Sequence, residues 1–403
     1  VLFRSIYSGS QSLTITTTEP NATIRYTVDG TKPLTTSSIY TTPVTIGVTR
    51  CVKAITYSAD PTILPSFMEF NTYLINVNHH VPIVSIAGTS LNLLANGQGT
   101  LEPEGSFELF DTLGNRLAQT YGGYNRHGQD SWANSQRSMD FKSRDEMGYN
   151  HSIEEPIFWT STRSNYQGII LRAAGDDNYP ADHHTANLGS AHMRDAYVEE
   201  LANQGHLYLD VRKAAKCVVY LNGNYWGVYD MRERADEHDY TEYYYGQDKY
   251  HLLMIETWGN TWAQYGGTAA FAEWNPLYNY IMNNNMAIPA NFQYVTDRYD
   301  WRSLVDYVLV NSYTVCTDWL NYNTCWWRGF DSTGTHLRWG YNLWDNDAVF
   351  DFYINYTGVP STLYNAPPCQ VEGLNGNSDP EGHMLILDRL RDNPDFNNYY
   401  ITR

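Results

Sequence analysis

Asp318 is followed, after four intervening residues, by Asn323 in the stretch CTDWLNYNTCWWRG (residues 316–329). At that separation one short loop can present a carboxylate to an acceptor hydroxyl and an amide oxygen to a magnesium ion, a pairing used in phosphoryl transfer. Further along, LRWGYNLWDNDAVF (337–350) reads as a strand ending on Trp344-Asp345-Asn346-Asp347, a second group of hard oxygen donors. Asp and Asn also serve in ordinary turns, where their side chains bond nearby backbone. The elements that carry the two stretches therefore matter as much as the spacing.

Those elements can be read from periodicity. Residues 11 to 76 contain LTITTTEP, TIRYTVDG, VTRCVKAITYS and EFNTYLINV, β-branched or aromatic runs separated by turn residues. They predict a small β-sandwich. The connector NVNHHVPIVSI then leads into a larger region of mixed character. AHMRDAYVEELANQ (191–204) has apolar residues at helical spacing. AAKCVVYLNGNYWGVYDMRER reads as a hairpin turning on Asn-Gly. WRSLVDYVLVNSYTV (301–315) predicts a helix running straight into Asp318. The expected fold class is α+β, with a small all-β sandwich module over 1–77 and a larger α+β domain over 78–403. No 20–50-residue period recurs, which excludes a solenoid.

Composition narrows the function. A formal net charge of −18 argues against nucleic acid, whose phosphates call for a basic footprint. No stretch approaches the roughly 20 apolar residues of a membrane-spanning helix. The 34 Tyr and 12 Trp suit either a large core or a surface that meets sugars or other chains, and the core reading is preferred. Five cysteines match no zinc motif; Cys316 and Cys325 form either a local disulfide or two buried thiols. His79-His80 and His183-His184 lack ligand spacing, and the polar loop DDNYPADHH (176–184) could line a cleft. N-x-T sequons stand at Asn21 and Asn355. The absence of Gly-x4-Gly-Lys-Ser/Thr excludes a P-loop enzyme. The abrupt ends at Val1 and Arg403 read as those of a fragment, with the larger domain cut short at its C-terminal side.

Two family resemblances follow. ATIRYTVDGTKPLTTSSIYTTPVTI, with Ile24 to Pro33 as its signature, resembles the small all-β module at the C-terminus of chitobiases and β-hexosaminidases. Over roughly 80 to 400, VPIVSI, RHGQDSW…SQRSMDFKSRDEMG, LRAAGDD with MRDAYVEELA, VVYLNGNYWGVYDMRERAD, TDWLNYNTCWWR and NLWDNDAVF resemble, in order, the spore coat CotH-like atypical protein kinases. The hairpin is the most specific of these.

That resemblance implies an atypical kinase-like domain that transfers phosphate from ATP, with magnesium (calcium being possible), to Ser or Thr of an acceptor protein that the sequence does not identify. It implies Asp318 as the carboxylate that orients or deprotonates the acceptor hydroxyl, and Asn323 and Asp345 as metal ligands. Asp347 would add a water-mediated metal contact or cap the next turn. Arg137 aligns with the family's phosphate-contacting lysine and Glu233 with the glutamate after the hairpin, giving these two the nucleotide. Arginine forks around phosphate where lysine is a point charge, so Arg137 puts turnover in question more than nucleotide binding. Glu233 also stands in a charge run, DMRERADEHD, which can simply be solvated. A catalytically inactive kinase-fold surface protein and a carbohydrate-binding surface protein are the competing readings. Composition and the accessory module suggest an extracellular or cell-surface bacterial setting, with glycans or other surface molecules as further partners.

Overall fold

The computed structural model describes residues 5–178, 190–316, 318–350 and 376–403. Its chain divides into two units, Val1–Gly175 with Ala214–Glu233, and Asp176–Lys213 with Arg234–Arg403. His183, His184, Asn355 and Cys369 lie outside the described residues.

In the first unit, the β-rich run over 11–76 forms a five-stranded sheet in the order Ile6–Tyr7, Glu69–Ile75, Arg50–Tyr57, Thr23–Thr27, Ser38–Ile39, with a separate pair, Gln11–Leu13 and Val44–Ile46. Leu13, Val44 and Ile46 of the pair pack against Val52, Tyr73 and Ile75 of the sheet, so two sheets face each other across an apolar layer. The Asn-Gly hairpin also forms as read: Ala214–Leu221 pairs with Asn224–Arg232. Asn222 and Gly223 hold positive φ of 51° and 81°, the twist a two-residue turn needs.

A closed seven-stranded barrel was not expected. Its order is Arg116–Arg126, Met139–Ser143, Gly168–Arg172, Asn224–Arg232, Ala214–Leu221, Ile83–Ala87, Glu104–Phe110, and back to the first. Ile83–Ala87 and Ala214–Leu221 pair in parallel across more than a hundred residues of intervening chain, a contact that local periodicity does not reveal. Phe107, Phe141, Ile169, Leu171, Val219 and Met231 fill the interior.

The sequence boundary at residue 77 falls inside this unit, and polar bonds cross it. Thr72 of the module shares a hydrogen bond of 2.7 Å with Ser85 Oγ and donates to Glu108 Oε2 at 2.6 Å, both barrel residues. Lys53 Nζ donates to the Ala87 carbonyl at 2.7 Å. Burial raises the Glu108 carboxyl above its usual range and lowers Lys53 to about 8.

The second unit is a five-stranded sheet ordered Asp210–Val211, Gly340–Leu343, Thr324–Gly329, Leu252–Trp258, Asn260–Tyr265. Helices Thr268–Asn283, Trp301–Tyr313 and His383–Leu390 contribute to the apolar cluster on one face, where Trp274, Trp326, Trp339, Tyr299, Tyr307 and Tyr341 are fully buried. Much of the aromatic excess is core, as preferred from composition. Cys316 belongs to this cluster, while Cys325 packs with Met254 and Trp327 in another. The two are free buried thiols, so the local disulfide is not formed. No helix among the described residues is long and apolar enough to cross a membrane.

Thr72→Val keeps the side-chain shape but leaves buried Glu108 one donor short. It should cost about 1–3 kcal/mol, seen by hydrogen exchange in urea as earlier opening of Ile83–Ala87. Unchanged protection there would mean that the module is a detachable spacer.

Candidate active site

In the second unit the helix Trp301–Tyr313 delivers the chain to the Asp318 loop. Its last turn is tied down side chain to backbone: Asn311 Nδ2 donates to the Tyr307 carbonyl at 2.9 Å, and Thr314 Oγ1 to Val310 at 2.8 Å. Cys316 N–H then bonds back to the Asn311 carbonyl at 2.8 Å. On the far side, Tyr307 OH meets Thr324 Oγ1 at 3.0 Å, where the strand Thr324–Gly329 begins. The loop is held at both ends by one helix.

Within it the two residues singled out by spacing meet. Asn323 Nδ2 donates to Asp318 Oδ2 at 2.8 Å and to the Asp318 carbonyl at 3.1 Å. With its nitrogen committed to Asp318, the Asn323 amide keeps its oxygen as the atom suited to a cation. Val315, Leu320 and Asn323 have φ of 52°, 67° and 52°. Positive φ at a β-branched or bulky residue is uncommon and costs on the order of 1–3 kcal/mol. The surrounding bonds must hold that geometry in place.

The strand Gly340–Leu343 ends just before Trp344, and Asp345 follows with φ of 58°. Asn346 N–H donates to Asp195 Oδ1 at 2.8 Å. Asp195 Oδ2 accepts from Arg212 at 3.2 Å, and Arg212 also bonds Glu199 at 2.7 Å; all three side chains are buried. Asp347 Oδ2 accepts the Asp176 N–H at 2.8 Å. Asp177 caps the start of the helix Arg194–Gln204, accepting from the N–H groups of Met193 and Arg194 and from the Arg194 side chain. The two loops converge on Cys316, hydrogen-bonded to the Asp318 backbone and the Asn346 side chain. Burial, with the charges of Asp318 and Asp347, pushes its thiol well above the ordinary range.

No three His, Cys, Asp or Glu side chains among the described residues converge as a metal-holding group. The available donors are oxygens of the hard type, the Asn323 amide and the Asp345 carboxylate, with Asp347 already holding a backbone N–H. Hard oxygens are the donor type that magnesium takes.

Arg137 and Glu233 lie in the first unit. Arg137 turns its guanidinium to the carbonyls of Trp132, Ala95 and Ser135, at 2.8, 3.2 and 3.2 Å. Glu233 is fully buried and takes an ion pair from Arg163 at 3.3 Å. The structure does not join Arg137 to Glu233, and Arg163 carried no signal in the sequence.

Sequence reasoning also passed over Asp195 and Glu199, although their i, i+4 placement beside Val198 and Ala202 puts two carboxylates on a buried helix face. It passed over Glu256 as well. Glu256 is opposite Cys325 in the sheet, next to the Thr257–Thr324 pair that starts the strand after Asn323. It is 8% exposed, and its Oε1 has no hydrogen-bond partner among the described residues. Burial raises its carboxyl to about 8, with Asp236 adding to the rise and Arg234 opposing it.

Comparison with known families finds two matches. The model of a family described as CotH kinase protein matches residues 125–403, and that of the chitobiase/beta-hexosaminidase C-terminal domain matches residues 4–62. A search of curated proteins finds no significant match.

The unfolded chain loses the Glu256 proton near 4.5, while the folded chain keeps it to about 8. The folded state therefore binds more protons in that window, and stability falls as pH rises through it. Glu256→Gln should remove this loss: its melting advantage over the native chain should widen from pH 4.5 to pH 8, by about 1 kcal/mol or more. A constant difference across that range would refute a buried, neutral Glu256.

Proposed function

The chain belongs to the CotH kinase family, and from that premise we propose that it transfers the terminal phosphoryl group of magnesium-bound ATP to Ser or Thr hydroxyls of an acceptor protein. The observation that carries the reading is the 2.8 Å bond from Asn323 Nδ2 to Asp318 Oδ2, which fixes both side chains of the Asp-x4-Asn loop in one orientation.

Asp318 lies beside the acceptor hydroxyl in this scheme, orients it and receives its proton as the phosphoryl group arrives. Asn323 supplies its amide oxygen and Asp345 its carboxylate to the metal, and Asp347 steadies that loop through the Asp176 N–H. Magnesium, when bound, neutralises charge on the phosphate oxygens. Arg137 is spent on backbone carbonyls, so phosphate binding in this reading does not depend on it. In the first unit the buried Arg163–Glu233 pair is the better-supported place for a structural glutamate–cation contact. The chitobiase-type module and the Asn- and Tyr-rich composition support a setting outside a bacterial cell.

Arg137 also gives a second reading its footing. A kinase-fold protein whose aligned cation serves the backbone could bind nucleotide as a scaffold without turnover.

Incubation of the native chain with magnesium and ATP, with mass spectrometry of phospho-Ser and phospho-Thr on the chain and on a Ser/Thr peptide library, separates the two. Transfer that drops about a hundredfold or more in Asp318→Asn supports the kinase. Equal transfer by the variant, or none by the native chain, overturns it.

A further inference from the structure

The first unit contains a cavity of about 390 Å³ where the β-module meets the barrel, apart from the loops discussed above. Phe67 and Lys32 enter it from the module, and Glu104, Tyr121, Glu146 and Tyr149 from the barrel side. Its size lies within the range of small-molecule sites.

The aromatic wall is built rather than incidental. Phe67 is 71% exposed yet rests against Gly148, where a Cβ would come within 2.2 Å of the ring. Gly148 has φ of +87°, so the backbone there both requires glycine and admits the phenyl ring. Tyr121 and Tyr149 lie next to each other, with centroids 6.0 Å apart and planes inclined by 29°. The Tyr149 hydroxyl is buried and has no hydrogen-bond partner among the described residues. An orphaned hydroxyl in a cavity costs free energy unless something fills the place.

Charge then selects the ligand. Glu104 and Glu146 share the lining with one lysine, Lys32; Lys53 lies behind it, its Nζ over the Tyr121 ring at 5.3 Å and bonded to the Ala87 carbonyl. Two carboxylates disfavour an anion, and Lys32, with the buried Lys53 behind the Tyr121 ring, offsets their pull on a cation. What remains is a neutral molecule with many hydroxyls and an apolar face to lay on aromatic rings. We propose that this cavity binds a neutral saccharide, its ring face against Phe67 and Tyr149 and its hydroxyls bonded to Glu104, Glu146, Lys32 and the Tyr149 hydroxyl. The module is then part of a binding site, whether or not the chain is a kinase.

The test is calorimetric titration of the whole chain with cello-, xylo-, malto- and chito-oligosaccharides, repeated with Phe67→Ala and Tyr149→Phe. Phe67 is mostly exposed and Tyr149→Phe removes one oxygen, so both variants should fold; circular dichroism checks this. Binding of at least one series, weakened about tenfold or more by Phe67→Ala and measurably by Tyr149→Phe, supports the site. Absence of binding by all four series overturns it. So does binding that both variants retain, or binding of choline or spermidine in place of sugars that is lost in Glu104→Gln.

Discussion

A carboxylate buried without water needs a partner for its charge, and Asp195 meets that need while doing a second task. One oxygen receives the Asn346 N–H and the other receives Arg212, itself held by Glu199. A buried ion network of this kind adds little net stability, because desolvation opposes the Coulomb gain, but losing one member strands the others. Its geometry is therefore all or nothing. The position of the 345–347 loop relative to the helix Arg194–Gln204 follows from it, and so does the uncommon backbone at Asp345. Through Asn346 and Cys316 the same network reaches the Asp318 loop.

Strain and anchoring explain each other here. Residues with positive φ cluster where the chain leaves the helix Trp301–Tyr313 and where it leaves the strand Gly340–Leu343. Such conformations persist only where neighbouring bonds over-determine them. The Asn311 and Thr314 side chains, the Asp318–Asn323 bond and Asp195 supply those bonds. Reactive groups would thus be oriented before any ligand arrives, the condition under which polar groups act most strongly on developing charge.

Much of this was legible in the sequence, and the parts that were not share a cause. The helices at 194–204 and 301–313, the Asn-Gly hairpin and the strand before Trp344 follow from short-range periodicity and turn chemistry, and Asp318 and Asn323, singled out by spacing, bond each other. The barrel, the seam through Thr72, Glu108 and Lys53, and the Arg163–Glu233 pair join residues far apart in the chain, about which local pattern is silent. For Arg137 the structure adds what alignment leaves out, its local partners. Alignment to a motif gave it the phosphates, while three nearby carbonyls take its guanidinium. Cys316 and Cys325, left by the sequence as either a disulfide or two buried thiols, are free thiols in different clusters.

The most direct test of the phosphoryl-transfer reading is calorimetric binding of magnesium-ATP to the native chain and to Asp345→Asn. Asparagine tolerates the left-handed backbone that Asp345 adopts, so the variant removes the charge and leaves the loop intact. A metal–nucleotide site predicts binding in the micromolar range by the native chain and its loss in the variant. Equal binding by both, or none by the native chain, would contradict the assignment of Asp345 and with it the site.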